Sequence, residues 1–332
     1  MKSIKKTLKA AAAAVAALVT VTACSATGGA PRASDNPNGQ AGGVDTPRYT
    51  VAMITHGAPG DTFWDLVRKG AEDAARKNNI ELRYSSDPEA PNQANLVQNA
   101  IDSRVDGIAV TLPNADAIGP VARKAADKKI PIVALNAGMD AYQKYNISAF
   151  FGQEEKVAGT LAGERLAKDD ARHALCVIHE QGNSSQEARC AGVKQGMGGN
   201  VETLYVNGKD LTSVQSTVQA KLSQDKSIDW VMGLQAPVAM TSAEAVKNAG
   251  SAAKVATFDT NAQLVDAISS GAIAWAVDQQ PYMQGYLAVD SIWLAHRNGS
   301  TMGGGRPVYT GPSFVDSSNV EAISEAAKAG LR

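Results

Sequence analysis

From Arg48 onward, short runs of β-branched and aliphatic residues alternate with longer stretches in which apolar residues recur every three or four positions. The short runs predict strands at Tyr49–Thr55, Ile80–Tyr84, Gly107–Leu112 and Pro131–Leu135. The longer stretches predict helices at Thr62–Lys77, Pro91–Ser103 and Ala115–Asp127. In the second of these, Leu96, Val97, Ala100 and Ile101 share one face, and Pro91 at the start costs no hydrogen bond there. Strands this apolar, alternating with helices, predict a parallel sheet covered on both sides.

The pattern then restarts. Strands are predicted at Ala174–His179, Val201–Val206, Asp229–Gly233 and Lys254–Phe258, with helices at Ser185–Met197, Leu211–Ser223 and Val238–Ala249. Val105-Asp106-Gly107 stands the same distance from Asn136 as Ile228-Asp229-Trp230 does from Asp259. The fold class that follows is α/β, with two similar doubly wound parallel-sheet lobes and a cleft between them. Ligands of open parallel sheets sit beyond the carboxyl ends of the strands, so the residues just past each strand carry the chemistry.

Those residues are rich in hydrogen-bonding groups. His56 and Asp61-Thr62-Phe63-Trp64 follow the first strand. Asn136, Gln235, Asp259-Thr260-Asn261 and Asp278-Gln279 follow later ones, and Arg189 lies early in a second-half helix. Mixed amide, carboxylate and guanidinium groups satisfy hydroxyls that both donate and accept. Phe63 and Trp64 add faces for the C–H surface of a sugar or polyol. Asp61 reads equally as a helix N-cap.

The first residues alter the picture of the whole. Lys2, Lys5, Lys6 and Lys9 precede an apolar run from Ala10 to about Val21, which has signal-peptide proportions and is too short to span a bilayer. Val21-Thr22-Ala23-Cys24 places a small-residue cleavage site before a cysteine. Residues 1–23 are therefore read as a lipoprotein signal peptide and Cys24 as the lipidation site, an anchor in the outer face of the cell membrane. Residues 24–46, poor in anything to bury, read as a disordered tether. No later apolar stretch approaches 18 residues.

Without the four signal lysines, 28 of the 32 Lys and Arg face 33 Asp and Glu, a net charge of −5. A mildly acidic chain with no basic cluster argues against nucleic acid. Cys176 and Cys190 remain once Cys24 is assigned; outside the cytoplasm such a pair oxidises. Two unpaired core thiols are the alternative, and metal-ligand spacing is absent. No GxGxxG follows the first strand, where Pro59 also removes an amide donor. There is no phosphate loop, no zinc-protease helix around His179-Glu180 and no nucleophile elbow at Ser184-Ser185. A binding protein is expected, not an enzyme, with no catalytic residue, metal or cofactor.

These residues resemble the type I periplasmic sugar-binding proteins, the ribose, galactose and xylose group that serves ABC importers. Asp61-Thr62-Phe63-Trp64 resembles the segment whose aromatic pair stacks on the sugar ring. Ile132-Val133-Ala134-Leu135-Asn136 resembles the strand that ends on a hydroxyl contact. The resemblance implies a ligand set of Asp61, Phe63, Trp64, Asn136, Arg189, Gln235, Asp259 and Gln279. Leu112 and Ala137 stand where ribose-type members carry Asn and Arg, so the first lobe loses two donors. Gly152-Gln153-Glu154-Glu155, His179-Glu180 and Asp278-Gln279-Gln280-Pro281-Tyr282 resemble an actinobacterial subgroup, in which the two cysteines form a disulfide between a strand and the next helix.

The resemblance also implies a three-strand hinge, with crossings near 148–152, 278–282 and 308–312. The N-terminal lobe is then 47–149 plus 282–308, and the C-terminal lobe 150–281 plus 309–332. Closure of the lobes on a small sugar or polyol would be read by an ABC permease. The protein is expected to act as a monomer, exported and lipid-anchored. A ligand-presenting receptor for a chemotaxis or sensor-kinase partner is the alternative.

Overall fold

The computed structural model describes residues 46–332. The expected signal peptide, Cys24 and all of the expected tether except Thr46 lie outside these residues. Thr46 is held at both polar ends: Asn79 Nδ2 donates to its carbonyl at 2.7 Å and Trp293 Nε1 to its hydroxyl at 3.5 Å.

Strands β1 (Tyr49–Thr55), β2 (Ile80–Ser86), β3 (Gly107–Val110), β4 (Ile132–Leu135) and β5 (Phe150–Gly152) alternate with helices α1 (Thr62–Lys77), α2 (Ala90–Asp102) and α3 (Ala115–Asp127). After β5 come α4 (Glu155–Lys168), β6 (His173–Ile178), α5 (Ser184–Met197), β7 (Asn200–Tyr205), α6 (Leu211–Gln224), β8 (Trp230–Gly233), α7 (Ala236–Asn248), β9 (Lys254–Phe258), α8 (Ala262–Ser269) and β10 (Trp275–Asp278). The chain ends with α9 (Pro281–Asn298), β11 (Val308–Tyr309), β12 (Ser313–Asp316) and α10 (Glu321–Lys328).

Two sheets result, in the orders β11-β5-β4-β3-β1-β2 and β12-β10-β9-β8-β6-β7. All pairs are parallel except β10 with β12. The two orders match position for position, so β4 corresponds to β9 and β1 to β6. The repeated spacing read from the sequence has a structural counterpart. Asp106 accepts from the Thr50 amide at the foot of β1, and Asp229 from the Arg172 and His173 amides at the foot of β6.

Strand alternation sends successive side chains to opposite faces, and each sheet has two cores. Val51 and Met53 of β1 pack toward α1 and α9, whereas Ala52 and Ile54 pack toward α2 and α3. In the second sheet, Leu175 and Val177 face the layer of α6 and α7, and Ala174, Cys176 and Ile178 the layer of α4 and α5. That alternation points Cys176 at α5, where it forms a disulfide with Cys190 across Cα atoms 5.8 Å apart.

The chain passes between the sheets three times: from β5 to α4, from β10 to α9, and from β11 to β12. Phe150–Gly152 and Tyr309 hydrogen-bond within the first sheet, so its limits fall at Gly152 and Tyr309 rather than at 149 and 308. The reason is local. β5 must finish pairing with β4 and β11 before the chain can leave.

Candidate functional site

All eight residues expected to contact ligand line one cavity between the lobes. Asp61, Phe63, Trp64 and Asn136 reach it from the first lobe. Arg189, Gln235 and Asp259 reach it from the second, and Gln279 from the β10–α9 crossing.

Two backbone corners aim the central pair. Asn136 follows β4 and Asp259 follows β9, and both adopt left-handed backbone, with φ of 64° and 67°. Asn and Asp tolerate that region better than other side-chain-bearing residues. Each corner is fixed by the same bond to a neighbouring strand, Asn136 N to Phe151 O and Asp259 N to Val277 O, both 2.8 Å. Gln279 joins the two. Its Nε2 donates to Asp259 Oδ1 at 2.6 Å, and its Oε1 accepts from Asn136 Nδ2 at 3.1 Å and Gln284 Nε2 at 2.9 Å.

Asp61 is the N-cap of α1 and also lines the cavity. Its Oδ1 caps α1 by accepting from the Phe63 amide at 3.0 Å, while Oδ2 accepts from Gln235 Nε2, across the cleft, at 2.7 Å. Phe63 and Trp64 lie edge to face, with an interplanar angle of 83°. They therefore present two perpendicular faces and not the two walls of a slot.

Arg189 is buried, and much of its guanidinium is already engaged. Its Nε and Nη2 form a fork with Glu155 at 2.6 and 3.0 Å, Nη1 donates to Leu234 O at 3.3 Å, and the group lies 4.8 Å from the Phe258 ring centre. Five N–H donors on the side chain leave one on each terminal nitrogen. Burial acts to lower its pKa, but the Glu155 carboxylate outweighs it and holds the guanidinium above its ordinary value. Breaking a buried pair of this kind costs about 3–5 kcal/mol.

His179, Glu180, Asn183, Ser185, Gln186 and Leu234 also line the cavity, and none was among the expected ligand contacts. The strand-end rule reaches His179 and Glu180, which follow β6 as His56 follows β1. Asn183, which the sequence reading did not single out, is the N-cap of α5, accepting from the Ser185 amide at 2.9 Å. Since its Oδ1 is the acceptor, its Nδ2 donates, to Glu180 Oε2 at 2.6 Å and toward His56 Nε2 at 3.4 Å. The His56 proton then sits on Nδ1, 2.8 Å from Thr111 Oγ1. Gln186 fixes His179 in the same way. Its Oε1 accepts from the His179 and Glu180 amides, so Nε2 donates to His179 Nε2 at 3.1 Å. The proton of His179 is on Nδ1, which has no partner among the described residues.

Burial sets the protonation of the site. It pushes the Asp61 carboxyl up to about 6, with Glu180 adding repulsion, and Asp259 up to about 7, with Arg189 opposing and Glu155 and Asp61 adding. It pushes His179 down to about 4 and lowers His56 as well. Both imidazoles are neutral near pH 7.

Leu112 and Ala137 are fully buried in the first lobe and do not line the cavity. The first lobe's polar groups come instead from His56, Asp61 and Asn136. Among the described residues, His173, Glu202 and Asp225 lie close enough to share a metal ion. Lys221 Nζ, 2.7 Å from Glu202, already supplies the positive charge there.

A two-lobed α/β protein with a polar cavity between its lobes and three chain crossings beneath has the architecture of a solute-binding protein. Residues 51–299 match the periplasmic binding protein domain family, and the chain belongs to it. The crystal structure of a carbohydrate transporter from Acidothermus cellulolyticus 11B, in complex with myo-inositol, is 51% identical. It superposes with a TM-score of 0.85, covering 86% of this chain and 100% of that one. The xylose/arabinose-binding protein of Sulfolobus acidocaldarius is 23% identical, covering 83% of this chain and 73% of that protein. The ribose import binding protein of Haemophilus influenzae is 26% identical, covering 68% and 79%. These relatives are solute-binding proteins of an exported family, and the chain is a binding protein of that kind rather than an enzyme.

Proposed function

We propose that this chain is the substrate-binding lipoprotein of an ABC-type importer. It captures a small neutral sugar or polyol in the interlobe cleft by hinge closure, presents the closed form to a permease as a monomer, and is held to the membrane through Cys24. The observation that carries this reading is the convergence of Asp61, Phe63, Trp64, Asn136, Arg189, Gln235, Asp259 and Gln279 on one cavity fed by both lobes. Amide, carboxylate and guanidinium groups beside aromatic faces suit hydroxyl-bearing rings. The cyclic polyol bound by the Acidothermus relative supports an inositol as the first compound to try.

The test is a thermal-shift panel of inositols, pentoses, hexoses and linear polyols on the mature protein. A ligand that binds only the native state, at about 100 times its Kd, stabilises by about 2.7 kcal/mol. The expected result is a clear rise in Tm for one cyclitol or sugar. A panel that leaves Tm unchanged while amino acids or organic anions raise it defeats the reading.

A further inference from the structure

The strand-end pattern singled out Asp278 together with Gln279, yet only Gln279 lines the cavity. Asp278 closes β10 with its side chain wholly buried. A carboxylate removed from water is costly unless it is paired and hydrogen-bonded. Both of its oxygens are engaged. Oδ1 accepts from the Gln280 amide at 2.8 Å, and Oδ2 accepts from Arg332 Nε at 2.7 Å. Among the described residues, no other cationic group forms an ion pair with Asp278.

Arg332 reaches this carboxylate through the turn that ends α10. Gly330 adopts left-handed backbone, with φ of 68°, and its amide donates to Ala327 O at 3.1 Å. The Leu331 amide donates to Ala326 O at 2.9 Å. These two bonds satisfy the last carbonyls of the helix and reverse the chain, which brings the Arg332 side chain to the end of β10.

The amide that Asp278 holds belongs to a strained corner. Gln280 lies in left-handed backbone, with φ of 55°, between Gln279 and Pro281 at the start of α9. That region is unfavourable for a glutamine, and such a corner persists only where its surroundings hold it. Two further bonds tie it to the β11–β12 crossing. Gln280 Nε2 donates to Thr310 O at 2.5 Å, and Thr310 Oγ1 donates to Gln279 O at 2.7 Å. Two of the three crossings therefore meet at a corner whose buried carboxylate has Arg332 as its cation. Gln279, which bridges Asn136 and Asp259, stands on that corner.

We propose that Arg332 is a positioning residue for the cavity. It does not line the cavity, but its guanidinium fixes the Asp278–Gln280 corner and so the placement of Gln279. This goes beyond the sugar or polyol reading of the cleft and rests on it only for the affinity measurement below. Alanine at 332 leaves the buried carboxylate without a cation and loosens the corner. Removing the Asp278 charge as well relieves that fault, because asparagine still offers Oδ1 to the Gln280 amide.

Amide hydrogen exchange of the unliganded mature protein, and its titration with myo-inositol, test this on three variants: Arg332→Ala, Arg332→Lys and the double variant Asp278→Asn/Arg332→Ala. In Arg332→Ala, exchange in segments 275–283 and 308–316 should speed up at least about tenfold, while β6 and β8 keep their parental rates. Affinity for myo-inositol should fall about threefold to tenfold, because binding must then also order the crossing. Lysine should restore part of both losses, and the double variant should stand closer to the parent than Arg332→Ala does. Parental exchange at the crossings overturns the proposal, as does acceleration spread evenly over both lobes. Loosened crossings with unchanged affinity, or a double variant as impaired as Arg332→Ala, overturn it too. If alanine at 332 prevents folding, a double variant that folds with parental exchange supports the proposal, and one that also fails to fold overturns it. A parent that binds neither myo-inositol nor any other compound of the panel overturns the proposed function, and the exchange rates then decide this inference by themselves.

Discussion

At the residue scale, burial of Asp259 is the cost from which the sharpest stability prediction follows. An unfolded aspartate titrates near about 3.9, and the folded group near about 7. The protonated form is favoured in the fold, so this contribution is fully present below the unfolded value and is lost as pH rises from about 4 through 7. His56 and His179 act oppositely: their folded values lie below the unfolded one, and their contribution is lost as pH falls, for His179 toward about 4. Whole-protein stability therefore mixes both trends, and a variant separates them. Asp259→Asn keeps the left-handed corner and an acceptor for Gln279 but removes the ionisation. Unliganded, it should have a higher Tm than the parent at about pH 8, with the difference vanishing near pH 4. Parallel melts across pH check this; a constant difference at all pH values would contradict it. That Asn136, Gln235, Asp259 and Gln279 would line the cleft was legible because strand ends face it in this class of sheet. Glu155 had no assigned role, because its fork with Arg189 depends on how α4 meets α5, and no local pattern encodes that.

At the element scale, the close meeting of helices is set by glycine. A Cβ on Gly196 of α5 would stand 1.9 Å from Thr160 O of α4, and one on Gly159 of α4 would stand 2.2 Å from Arg189 O. The backbones thus touch, and that contact brings Glu155 within reach of Arg189. The first lobe does the same with Gly70 of α1 and Gly285 of α9. Alanine in a helix interior gains about 0.5–1 kcal/mol of propensity over glycine. Here the clash with main-chain oxygen, about 1–3 kcal/mol or more, outweighs that gain. Gly196→Ala should lower Tm and weaken polyol binding through a displaced Arg189. Denaturant melts and titration of the variant test both effects, and a stabilised variant would refute the packing account. The early elements were read almost to the residue from periodicity. α4 was not delineated from sequence, because its buried face is Ala158, Gly159, Ala162 and Gly163, small residues that give little apolar contrast.

At the scale of the whole molecule, the disulfide belongs to one lobe alone. Cys176 lies on β6 and Cys190 on α5, 14 residues apart, in the lobe that contributes Arg189, Gln235 and Asp259. A crosslink closing a loop of about 15 residues stabilises by about 3 kcal/mol in the chain-entropy account. The Cys176→Ala/Cys190→Ala protein should lose stability of about that size in denaturant melts. Hydrogen exchange should speed up more in the β6–α5 lobe than in the first. Equal acceleration in both lobes would show that they unfold as one unit. The two-lobed architecture was legible because each lobe repeats one alternation. The limits of the lobes were less so, since β5 and β11 are three- and two-residue strands whose pairing is decided by neighbours far along the chain.

The matched corners at Asn136 and Asp259 bear on how such a site diversifies. Left-handed backbone favours glycine, asparagine or aspartate at each position. The last two share a shape and are one nucleotide change apart in the genetic code. Either corner can thus gain or lose a charge without rebuilding its loop. The polarity of the cavity can drift by single steps while the scaffold stays fixed.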